Sequence, residues 1–132
     1  MEDQTTSTTP DALKSTYGGY FCFCNMMGQD IKSGTAKYWN TDYGATTIDL
    51  ENLADGDTSL SYEFATDSTS LDRWSFSATL KDGSFHVVAE KDCGFETEDA
   101  GGTVTLQAII AAGDNSFFIA MPHSSSCSTT FK

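Results

Sequence analysis

Basic residues are scarce in this chain of 132: Lys and Arg number 7 against 19 Asp and Glu, a formal charge of −12 at pH 7. Phosphate binding is driven by Lys and Arg displacing counterions, so the shortage excludes nucleic acid as a partner and disfavours anionic membranes by the same repulsion. Long apolar runs are missing too. No stretch approaches the ~20 apolar residues of a spanning helix, and the N-terminus has neither the basic nor the apolar region of a signal peptide. A soluble, non-transmembrane chain is expected, with secretion of a mature form only if its cysteines are paired. Further absences narrow the function. There is no Asn-x-Ser/Thr acceptor, no Gly-x-Ser-x-Gly elbow and no fixed-period repeat, and Gly101-Gly102 lacks the Lys and following helix of a phosphate loop. Proline occurs only at Pro10 and Pro122, while glycine, Thr, Ser, Phe and Tyr abound, a composition that favours many short strands joined by glycine turns.

The strongest local signal that is present is Asp82-Gly83 between alternating runs at 72–81 and 84–92, because both central residues of a type I′ turn take positive φ. A two-residue loop sets Leu80 opposite Phe85, Ala78 opposite Val87 and Phe76 opposite Ala89 on an apolar face. The other face then pairs Thr79 with His86, Ser77 with Val88, Ser75 with Glu90 and Arg73 with Asp92.

Around this 73–91 hairpin other strands are expected. Residues 20–24 are apolar on both faces, which suits a central strand. Segments 36–40 and 45–50 follow, and Leu60, Tyr62 and Phe64 alternate with polar residues. In 103–110 the even positions are apolar. Pro122 ends the strand at 116–121, since proline cannot donate to a ladder, and 127–131 adds an edge strand. About eight or nine strands result, the pattern of a single-domain antiparallel β-sandwich or small barrel. It spans 17–132, preceded by a polar tail at 1–16 with a short helical turn near Pro10.

Cys22 and Cys24 lie two apart on one strand face and are poorly placed to bond to each other. If disulfides form, each is expected to join Cys93 or Cys127, in either order, closing loops of roughly 70 to 105 residues; reduced thiols are the alternative. The spacing does not suit zinc.

For function, the aromatic and polar stretch Tyr38, Trp39, Asn40, Asp42 and Tyr43 is the best candidate. Alternation sends Tyr38 and Trp39 to opposite faces, so one should point outward. A ring can cover the C–H face of a neutral sugar while Asn and Asp exchange hydrogen bonds with its hydroxyls. Asp49, Glu51, Asp55 and Asp57 surround a glycine turn and form a calcium candidate, although the spacing is not that of an EF-hand. No other cofactor is indicated. His86 and His123 offer material for a Ser/His/Asp set but no supporting motif, so a non-catalytic role is expected. Size, acidity and predicted all-β class resemble the aegerolysins, small β-sandwich proteins that recognise membrane lipids. The expected function is therefore lectin-like carbohydrate binding, with neutral lipid recognition, as that resemblance implies, or engagement of a protein with a basic surface as the alternatives.

Overall fold

The computed structural model describes residues 16–112 and 114–132, so the expected tail lies outside the described residues except for Thr16. The described residues form nine strands: β1 (Tyr17–Met26), β2 (Ile31–Asn40), β3 (Gly44–Asp49), β4 (Tyr62–Thr66), β5 (Arg73–Leu80), β6 (Phe85–Asp92), β7 (Thr103–Ala111), β8 (Asp114–Ala120) and β9 (Cys127–Thr130). One 3-10 turn covers Thr97–Asp99. Among the described residues no helix is long and apolar enough to cross a membrane.

The strands build the expected all-β sandwich from two sheets, one ordered β9-β8-β7-β1-β4 and the other β3-β2-β5-β6. β1 lies between two neighbours, as its doubly apolar sequence requires, and β9 is an edge strand. Every neighbouring pair is antiparallel except β1 and β7, which run parallel with Phe21 beside Val104 and Phe23 beside Leu106. A parallel pair needs a crossover, and here β2 to β6 supply it, the whole second sheet together with β4.

The inner faces meet in an aromatic core. Phe21, Phe23, Tyr38, Trp74, Phe95 and Phe117 are fully buried. Trp74 lies 4.7 Å from Tyr38, 5.4 Å from Phe64 and 5.8 Å from Phe21, ring centre to ring centre. The latter two contacts are edge-on, the arrangement the ring quadrupoles favour. Gly34 on β2 admits close strand approach: a Cβ there would stand 2.2 Å from the Ser77 carbonyl oxygen.

The hairpin forms where expected, but its register differs by one residue. Leu80 pairs with Ser84, not Phe85, because Lys81, Asp82 and Gly83 form a three-residue loop with Gly83 at φ +90°. That is a turn followed by a left-handed glycine bulge, the other hairpin geometry an Asp-Gly pair supports. A slip of one residue turns each side chain to the opposite face. Thr79 therefore opposes Phe85 and Ala78 opposes His86, so Phe85 and Val87 face solvent while Val88 is buried. Farther along, Ala89 and Glu90 together oppose Ser75, a bulge that restores the expected pairing of Arg73 with Asp92.

The expected cysteine pairing is overturned. Cys93 bonds to Cys127, with Cα atoms 6.0 Å apart, and Cys22 and Cys24 are thiols. The reason is topological: the β1 cysteines stand beside Thr105 and Gln107 of β7, whereas Cys93 follows β6 and Cys127 opens β9, at one end of the sandwich. Alkylation of the denatured, unreduced protein is expected to tag the two thiols Cys22 and Cys24, rising to four cysteines after reduction. Tagging all four without reductant would contradict the bridge.

Candidate functional site

The end of β2 sends alternate side chains to opposite sides of its sheet, and the two sides do different work. On the inner side Tyr38 and Asn40 are buried. Asn40 Nδ2 donates to Tyr38 Oη at 2.6 Å and to the Ala65 carbonyl at 2.9 Å, while its Oδ1 accepts the Tyr43 N–H at 2.6 Å. Tyr38 Oη in turn donates to Asp72 Oδ1. Burial, then this bond to Asp72, pushes the Tyr38 hydroxyl well above the usual phenol range. The buried Asp72 carboxylate also accepts Thr66 Oγ1 at 2.7 Å and the Phe95 N–H at 2.8 Å. Tyr38 and Asn40 thus tie the loop after β2 to β4 and to the segment after β6.

Asp42 and Tyr43 stand at the exposed rim of this network. Asp42 accepts the Ser70 hydroxyl at 2.8 Å, and Tyr43 Oη donates to buried Asp67 at 2.9 Å.

On the outer side Trp39 is half-buried, and the Arg73 guanidinium sits over its ring at 4.2 Å. Arg73 Nε is held by Glu90 at 3.0 Å, with Asp92 at 4.0 Å. Two residues along the same face, Lys37 borders a shallow groove of about 400 Å³ whose lining includes Thr35, Thr47, Ser75, Ser77 and Val87. The stacked pair therefore lies one strand step beyond the Lys37 and Ser75 end of a groove that carries four hydroxyl side chains among its apolar ones. The structure thus separates the five candidate residues into two buried, two at the rim and one on the outer face. Arg73 and the β5 serines were missed in the sequence because only the pairing of β2 with β5 brings them beside Trp39.

The other candidates lie elsewhere. Asp49 and Asp55 each accept a backbone N–H, from Glu51 and Gly28, and both are exposed, as are Glu51 and Asp57. Among the described residues, no three His, Cys, Asp or Glu side chains gather to hold a metal ion. His86 does not face the polar side as expected: the register slip turns it inward, against Phe131 at 5.6 Å, with Nδ1 on the Lys132 carbonyl. His123 borders a cleft of about 470 Å³ with Glu96, Glu98 and Ser125. Among the described residues no hydrogen bond joins either imidazole to a hydroxyl or thiol.

Buried Asp99 ties together three residues that border that cleft, accepting the N–H groups of Glu96, His123 and Ser124 and the Ser124 hydroxyl. Burial works to raise the carboxyls of Asp99 and Asp67, but hydrogen bonds from Ser124, Glu96 and His123, and from Thr69, Tyr43 and Ser70, outweigh it and hold both below the usual range. A carboxyl whose folded pKa is depressed adds stability above its unfolded pKa, about 4, and loses it as pH falls through the folded value. The melting temperature is accordingly expected to be flat from about pH 8 to 5 and to fall below about pH 4, less steeply in Asp99→Asn. A melting temperature that rises on acidification would contradict this.

Comparison of the chain with protein-family models and with curated protein sequences finds no match.

Proposed function

We propose that this is a carbohydrate-binding sandwich protein, acting by recognition and not catalysis, with its site on the outer face of the β3-β2-β5-β6 sheet. The observation that carries this reading is Trp39 stacked with Arg73 beside a groove lined by Thr and Ser hydroxyls. The guanidinium covers one face of the indole, and its own outer plane together with the exposed indole edge gives apolar sugar C–H groups a surface to pack on. Arg and Lys N–H groups at its margin donate to sugar hydroxyls, and the Thr and Ser hydroxyls both donate and accept. Glu90 fixes the guanidinium from the far side, so little side-chain freedom is lost on binding.

The test begins with a glycan array, followed by calorimetry on any glycan retained. Trp39→Ala is expected to weaken binding by about tenfold or more while leaving the circular dichroism unchanged. An array without hits, or equal affinity in Trp39→Ala, would remove the reading. Co-sedimentation with neutral liposomes in the absence of glycan binding would favour lipid recognition instead.

A further inference from the structure

The two thiols lie outside the disulfide and outside the proposed sugar face, on the outer side of the other sheet. Phe21 and Phe23 of β1 point into the core, so Cys22, Cys24 and Met26 project outward in one row. Their exposure is graded. Cys22 is 6% exposed, Cys24 half-buried and Met26 44% exposed. The row is therefore open to solvent at its Met26 end. Cys22 Sγ has only weak neighbours, Thr105 Oγ1 and the Val104 carbonyl, both at 3.8 Å.

Successive members of such a row are about 6.6 Å apart along a strand, whereas a disulfide requires Cβ atoms about 3.8 Å apart. Cys22 and Cys24 are thus held as a dithiol, too far apart for a bridge yet near enough for both sulfurs to lean onto one ion. Thiolate and thioether donors select soft metals. Zinc would need two further ligands, and among the described residues no third Cys, His, Asp or Glu joins the pair. Hard cations want oxygen donors. What is left is a soft ion content with two sulfurs.

We infer that Cys22 and Cys24 form a two-coordinate binding site for monovalent copper on the outer face of β1. Two S–H protons pass to the buffer and two copper–thiolate bonds form. Copper stays monovalent, so no oxidant or reductant is consumed.

The test supplies Cu(I) anaerobically as its acetonitrile complex, with no thiol reductant present, so that Cys93–Cys127 stays closed. The full chain competes for the ion with bathocuproine disulfonate. Wild type is expected to withdraw one Cu(I) per chain and to show thiolate-to-copper charge transfer in the near ultraviolet. The C22S/C24S double variant should bind about a hundredfold more weakly, each tenfold being about 1.4 kcal/mol. A second readout needs no variant: Cu(I)-loaded wild type should resist N-ethylmaleimide at Cys24, where the metal-free protein reacts. Failure of the wild type to withdraw copper, unchanged affinity in the double variant, or equal alkylation with and without copper would each overturn the site.

Discussion

Asp72→Ala is expected to lower the unfolding free energy by about 4 kcal/mol, as measured by urea denaturation. The replaced carboxylate accepts from Tyr38 Oη, Thr66 Oγ1 and the Phe95 N–H, all inside the sandwich. Alanine leaves the Tyr38 hydroxyl and the Phe95 N–H without an acceptor and Thr66 with only the Asp67 carbonyl at 3.4 Å, and each buried orphan costs about 1–3 kcal/mol. A domain of this size has only about 5–15 kcal/mol in hand. Asp72→Asn should lose less, because its Oδ1 can still accept while its amide turns a donor toward another donor. Equal stability of Asp72→Ala and wild type would mean that the network is not formed.

Trp74→Ala should cost a similar amount, about 3–5 kcal/mol. Its ring is fully buried against Tyr38, Phe64 and Phe21, and its Nε1 donates to the Cys93 carbonyl at 2.8 Å. Both sheets lose packing at once, since Phe21 and Phe64 belong to one and Tyr38 and Trp74 to the other. Trp74→Phe keeps most of that contact and is expected to recover roughly half of the loss, measured in the same denaturation. A Trp74→Ala protein within about 1 kcal/mol of wild type would contradict the packing described.

Much of this architecture can be read from local pattern. The doubly apolar run at β1 announces a central strand, and the even positions Val104, Leu106 and Ala108 of β7 are indeed the buried ones. The hairpin is visible in Asp82-Gly83, yet its register is not. The dipeptide fits both a two-residue loop and a three-residue loop with a glycine bulge, and the choice decides whether Phe85 or His86 faces inward. The parallel neighbours β1 and β7 and the Cys93–Cys127 bridge depend on contacts between segments far apart in sequence, which no local pattern records.

The candidate site divides along the same line. Alternation along β2 correctly separates Tyr38 from Trp39 and leaves open which of them faces out. The choice is made by Asp72, itself held by Thr66, and by Ala65, which arrive from other segments to accept from Tyr38 and Asn40 on the inner side. Arg73 reaches Trp39 only because β5 pairs with β2, and the bulge at Ala89 and Glu90 then aims Glu90 at the guanidinium.

The proposed sugar face is tested most directly by the two indole N–H resonances of the protein, Trp39 and Trp74, followed by heteronuclear NMR during titration with a glycan retained on the array. Trp39 lies on the outer face beside the groove, whereas Trp74 is 0% exposed and hydrogen-bonded inside the core. The Trp39 signal is expected to move with saturation while that of Trp74 stays in place. A titration that saturates with the Trp39 signal unmoved would contradict the account.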